Sequence, residues 1–196
     1  MQGIPLNERK RLGALLDDRP QTEVMAMIPQ FSQAETDNFV APPAQIPEAL
    51  GVLMFNMERG VNLPEIQEFL RDCPDIQPFD VILANELDDG CARSGNKNTA
   101  RELAQAFGLN YAWGLEFIEL VNDENAKGFH GNAVFSRWPI RRAGVIRLPE
   151  QYNWYFDRQK RIGGRLAVFA ELDVGGQPVG AVSIHLENRT HGEGRK

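Results

Sequence analysis

Two short apolar runs of β type, separated by an amphipathic segment, constrain this chain more than any other feature. Residues 50–57 read LGVLMFNM and residues 79–89 read FDVILANELDD. Between them, NLPEIQEFLRDC places Pro64 at a helix start and Ile66, Phe69 and Leu70 on one face. Apolar runs of this length without alternation belong to strands buried on both sides. A second helical pattern follows in NKNTARELAQAFGLN, with Leu103, Ala106 and Phe107 together and Gly108 as its C-cap. Strand-type segments then succeed one another: YAWGLEFIEL, GNAVFSRWPI, AGVIRL, and a hairpin from residue 165 to 188 turning at DVGGQP, whose glycines supply positive φ. Strand, helix, strand, helix and a run of strands predict an α/β protein. Its mixed sheet is covered by helices at the first strands and leads into antiparallel pairs.

With 196 residues, 42% of them hydrophobic and 24% charged, the chain suits one soluble domain with a sizeable core. Residues 1–47 read as a helical, proline-containing lead-in, and residues 48–196 as the domain proper. No apolar run approaches the roughly 18 residues of a membrane span, and the first twenty residues lack an apolar signal core. Cys73 and Cys91 have no metal-ligand spacing, which fits reduced thiols and a cytoplasmic location.

A net charge of −6 argues against broad, sequence-independent nucleic-acid binding. The charge is uneven, however. Between residues 137 and 165 stand eight basic residues and two acids, and the remainder of the chain is acidic. Such asymmetry suits an anionic substrate meeting one face, as it also suits a solvated basic loop.

Polar residues stand where the strands are expected to end: Asn56 after VLMF, Glu86 after VILAN, Asn132 opening GNAVFS and His185 closing AVSI. Strand ends on one rim can converge. A carboxylate and a carboxamide are hard oxygen donors suited to Mg²⁺, and a histidine there can meet a phosphate oxygen or move a proton. Taken singly, each has a plainer reading as a turn former or a hydrogen-bonded structural residue. It is their order that points to chemistry.

In that order, FNM, ILANELD, HGNAVFSRWPI, GGRLAVFAELDV and VSIHLENRT resemble the endonuclease/exonuclease/phosphatase superfamily, over residues 48 to about 190. The resemblance implies a four-layer α/β sandwich of the deoxyribonuclease-I-like type. It implies Glu86 and Asn56 at a Mg²⁺ site, with Mn²⁺ as a substitute, His185 as the catalytic histidine, and Asn132 and Arg165 near the substrate. Glu187 is left either orienting His185 or structural. The chemistry implied is water attack on a phosphodiester or phosphomonoester, in nucleic acid or a small molecule.

The chain departs from that pattern after His185: neither the Asp-x-Asn motif nor the late Asp-His pair follows before Lys196. The expectation is therefore of a fragment, truncated after the first half and inactive alone, with the second sheet largely missing and an apolar face uncovered. A non-catalytic phosphate-binding or interaction module on the same scaffold is the alternative. A serine hydrolase using Ser136 or Ser183 is weaker, since neither sits in a G-x-S-x-G elbow. The loop YNWYFDRQKR offers either stacking for bases or cover for the sandwich edge.

Overall fold

The computed structural model describes residues 1–189; Thr190, the last residue of VSIHLENRT, lies outside them. In chain order the elements are α1 (Leu6–Ala14), α2 (Gln21–Ala26), β1 (Ala34–Asp37), β2 (Val52–Arg59), α3 (Leu63–Asp72), β3 (Val81–Asp89), α4 (Thr99–Phe107), β4 (Asn110–Glu119), β5 (Phe129–Ser136), β6 (Ile140–Arg147), β7 (Arg161–Gly163), β8 (Leu166–Val174) and β9 (Gln177–Ile184).

The two apolar runs become β2 and β3. They pair in parallel, as strands joined through a helix must when they are neighbours in one sheet. All other pairings are antiparallel. The larger sheet runs β1-β4-β5-β3-β2, with β7 added along β4, and the smaller runs β6-β8-β9. Helix α4 forms where the apolar spacing predicts it. Asn98 accepts the Arg101 N–H at its start, and Gly108 closes it in the left-handed conformation at φ 59°.

Why β3 is apolar on both sides is visible in the packing. Ile82 and Ala84 face the helices together with Leu70, Leu103 and Ala104. Val81 and Leu83 face the smaller sheet, where Leu166, Val168, Ala170 and Leu172 of β8 recur at two-residue spacing beside Ala112 and Val134. Each such aliphatic side chain removed from water contributes about 1.5–3 kcal/mol.

Several expectations need correction. The second sheet was expected to be largely missing, yet three of its strands are present and packed face to face on the larger sheet, because the 166–184 hairpin recruits β6 as a third strand. Residues 1–47 do more than lead in. Ile4, Leu12, Leu16, Val24, Ile28 and Phe31 join the main core, and β1 forms an edge strand on β4. No apolar run marks β1, whose sequence is AETD; its pairing is decided by the open edge it finds.

Some apolar surface is left uncovered. Leu53 and Phe55 of β2 pack toward the helices, so Val52 and Met54 point the other way, beyond the reach of the three-stranded sheet, and are exposed. Ile146, Val182 and Ile184 are exposed on the smaller sheet, against which the described residues place no α-helix layer.

Gly131, in the HGN triplet, marks the closest backbone approach in the larger sheet. A Cβ added there would lie 2.0 Å from the Gly114 carbonyl oxygen and 2.7 Å from the Trp113 ring. Neither neighbour is a flexible chain end, so Gly131→Ala is expected to destabilise the fold by about 2–3 kcal/mol. Urea unfolding followed by far-UV circular dichroism reads this directly, and an unchanged midpoint would contradict the packing.

Candidate functional site

Three strands of the larger sheet, β2, β3 and β4, break register at one end. The shifts fall between Asn56 and Arg59 in β2, between Ala84 and Leu87 in β3, and between Leu115 and Phe117 in β4. A bulge leaves a residue out of the ladder and redirects its side chain. The residues released are Glu86 in β3 and Glu116 in β4, with Glu58 beside Arg59 in β2. Glu58, Arg59 and Glu86 take left-handed backbone at φ 45°, 69° and 60°. Non-glycine residues hold such angles at a cost of order 1–3 kcal/mol each, and only where their surroundings impose them. At Glu86 the support is Asn132, opposite the bulge, whose Oδ1 accepts the Glu86 N–H at 3.2 Å.

Arg165, just ahead of β8, gathers the cluster. Its Nη1 donates to Glu116 Oε1 at 3.1 Å and to His185 Nδ1 at 2.9 Å, and its Nε donates to Glu187 Oε2 at 3.3 Å. An arginine cannot accept, so His185 Nδ1 is the acceptor and the neutral ring carries its proton on Nε2. That nitrogen lies 3.7 Å from Glu86 Oε1. Glu116 is fully buried. Burial alone would raise its pKa, but His185, Arg165 and His130 around it hold it below the ordinary carboxylate range. Glu187 binds Arg165, the Trp154 Nε1–H (2.8 Å) and the N–H groups of Asn188 and Arg189, so it acts on the arginine.

Behind this lies a second charged tier. Asp88 accepts two bonds from Arg93, at 2.7 and 2.8 Å, one from Ser94 Oγ and one from His130 Nδ1 at 2.9 Å. Arg93 and Arg161 both approach Glu119. In front, a pocket of about 140 Å³ is bounded by Arg59, Glu86, Trp154, Arg161, Arg165 and Arg189, among others. The guanidinium carbons of Arg161, Arg165 and Arg189 lie 5.0–5.4 Å from the Trp154 ring centre. A larger apolar cavity of about 330 Å³, walled by Met25, Ile28 and Phe31, carries none of Glu86, Glu116 or His185.

Of the sequence-derived candidates, Glu86, Arg165 and His185 come together, with Asn132 buried directly behind Glu86. Asn56 stands apart: it faces Asn85 in the ladder, and its Oδ1 accepts the Glu58 N–H at 2.9 Å. Sequence reasoning missed Glu116, His130, Arg161 and Arg59. One signal was available for Glu116, a lone acid in the middle of the apolar strand YAWGLEFIEL. In the loop YNWYFDRQKR, Trp154 is buried with arginines over its ring, whereas Phe156 is exposed.

Among the described residues no group of three or more His, Cys, Asp or Glu is arranged around a common metal position. Glu86 is nonetheless a fitting donor for a hard cation. No lysine or arginine pairs with it, and its carboxylate makes no hydrogen bond with the described residues. Mg²⁺ commonly takes one or two carboxylates and completes its shell with water.

No protein-family model matches the chain, and no curated protein matches it. Several solved structures align with part of the chain. An endonuclease/exonuclease/phosphatase family protein from Leptotrichia buccalis C-1013-b aligns at 19% identity and TM-score 0.49, covering 74% of this chain and 58% of that one. A 3′ phosphatase from Neisseria, bound to a product DNA hairpin, aligns at 19% identity and TM-score 0.38, covering 70% and 41%. A 3′-5′ exonuclease from Neisseria meningitidis aligns at 21% identity and TM-score 0.38, covering 68% and 40%. The chain thus spans between two-fifths and three-fifths of these proteins, and no residue role is carried over from them.

The second tier makes a testable statement about acid stability. Burial would raise Asp88, but Arg93 and His130 bring it from its ordinary 3.8 down to about 2. A depressed carboxylate stabilises the fold above its unfolded pKa and loses that contribution as pH falls through the folded one. About 2 kcal/mol present above pH ~4 should therefore disappear by pH ~2. The stability difference between the native chain and Asp88→Asn, from urea titrations at each pH, is expected to shrink across that window. A difference constant from pH 5 to 2 would exclude this role for Asp88.

Proposed function

We propose that this chain carries the catalytic face of a Mg²⁺-dependent phosphoesterase, which cleaves a phosphodiester or phosphomonoester of a nucleic acid or small molecule in the cytoplasm. The observation that carries the reading is Glu86, a carboxylate that no lysine or arginine of the described residues pairs, 3.7 Å from His185 Nε2 at the wall of an arginine-lined pocket.

Glu86 would hold the cation, with Mn²⁺ as an acceptable replacement, while Asn56 keeps its Oδ1 on the Glu58 N–H outside the donor set. When bound, the metal supplies charge neutralisation on the phosphoryl oxygens. The chain's own groups do the rest. Arg165 fixes the His185 ring by donating to Nδ1. The His185 Nε2–H donates a hydrogen bond to the departing ester oxygen as the P–O bond breaks, and the proton released by the water that forms the new P–O bond reaches that oxygen through solvent. Asn132 keeps the Glu86 backbone in its bulged conformation. Arg161 and Arg165 present preorganised positive charge where negative charge develops.

A second reading has one observation in its favour. Among the described residues no three His, Cys, Asp or Glu side chains are grouped around one metal position, as suits a non-catalytic anion-binding module.

Hydrolysis of bis-p-nitrophenyl phosphate and p-nitrophenyl phosphate by the whole protein, with Mg²⁺ or EDTA, separates the two. The catalytic reading expects Mg²⁺-dependent turnover, reduced about 100-fold or more in both Glu86→Ala and His185→Ala. In the 196-residue chain, Mn²⁺ is expected to broaden the Asn56 side-chain amide resonances, and Glu86→Gln to remove the effect. Activity unchanged in both alanine variants would sink the assignment.

A further inference from the structure

We propose that the arginine-lined pocket is a subsite for a terminal phosphate, so that the substrate presents a phosphomonoester end. The inference rests on the phosphoesterase reading and names the substrate class of that same site.

Three of the four guanidinium groups are already neutralised from behind. Arg161 meets Glu119, Arg165 meets Glu116 and Glu187, and Arg189 meets Asp157. These pairs hold the groups in place and set a rigid wall. Arg59 differs. It makes no ion pair or hydrogen bond with the described residues, and its Nε is buried without an acceptor. A buried donor left unmade costs about 1–3 kcal/mol, more for a charged group. Its backbone is also held in the left-handed region, between Glu58 at φ 45° and Gly60 at φ 67°. The fold thus maintains an unneutralised guanidinium in a strained turn at the pocket that Glu86 also lines. An oxyanion ligand at the pocket would supply the acceptor that the described residues do not.

The walls define what that ligand is. Three guanidinium groups already cover the Trp154 ring, so it offers no free face for a base to stack on. About 140 Å³ lined by charged groups suits a small oxyanion rather than an apolar or aromatic body. A phosphate oxygen pair matches the planar fork of arginine. A monoester phosphate carries a charge of about −1.5 to −2 at neutral pH, more than the single charge of a diester. A diester also needs two exits for its two substituents, while an end group needs one. The terminal phosphoryl group would sit against Arg59, and inorganic phosphate would be the product left behind.

Calorimetric titration of the chain with inorganic phosphate and with dimethyl phosphate, both in EDTA, tests this. The expected result is saturable phosphate binding, with dimethyl phosphate at least ten-fold weaker. Arg59→Gly removes the guanidinium and relieves the left-handed backbone, so the fold survives, and it is expected to weaken phosphate at least ten-fold. Arg59→Lys is expected to fall between. Absence of saturable phosphate binding, equal affinity for the two anions, or native affinity in Arg59→Gly would each overturn the proposal. Phosphate binding that depends on Arg59, in a protein whose hydrolysis survives Glu86→Ala and His185→Ala, would uphold the subsite and sink the catalytic assignment. Hydrolysis lost in those variants with phosphate affinity indifferent to Arg59 would do the reverse.

Discussion

A carboxylate at the centre of a wholly buried strand persists only if cations reach it, and at Glu116 the principal one comes from the other sheet. Arg165, ahead of β8, extends across the sandwich to Glu116 on β4. Breaking such a pair by removing one partner strands a buried charge and costs about 3–5 kcal/mol. The same arginine holds His185 by Nδ1 and is itself held by Glu187. Packing of the two sheets and orientation of the histidine are therefore one constraint. A shift of the smaller sheet would release both.

Around that pair the larger sheet gives up regularity at one end. Bulges in β2, β3 and β4 remove residues from the ladder, and two of the freed side chains, Glu86 and Glu116, are those nearest His185. The backbone strain at Arg59 and Glu86 is offset by the packed sheets beneath and by the Asn132 hydrogen bond. Charge is layered in the same way. Asp88, Arg93, Glu119 and Arg161 neutralise one another in the rear tier, leaving in front Arg59, which pairs with no described acid, and Glu86, which pairs with no described lysine or arginine. Opposite charges left unpaired in one pocket suit a ligand that brings both signs, a metal cation with a phosphate.

Much of the fold was legible because β3, β5 and α4 announce themselves locally. Apolar runs buried on two sides, a capped amphipathic helix and a glycine turn need no distant partner to be recognised. Strands β1 and β7 were not legible. AETD and RIG are too short and too polar to carry a period, and form because edges of β4 are open to them. The site divides in the same manner. Glu86 and His185 follow strand-type runs and Asn132 opens one, so all three could be read. Arg59 and Arg161 owe their places to bulges and to pairing across the sheet, which leave no local trace.

By itself the sequence determined which segments are apolar enough to be buried, where helix α4 stops, and which few polar residues interrupt strand-like runs. Those are properties of neighbouring residues, set by side-chain periodicity and by backbone freedom at glycine. Only the tertiary structure decided that Glu116 lies against His185, that Arg165 joins them from the opposite sheet, and that none of the described acids pairs with Arg59. Each depends on contacts between residues far apart in the chain, and electrostatic energy is set by distance and burial in space, not by separation in sequence.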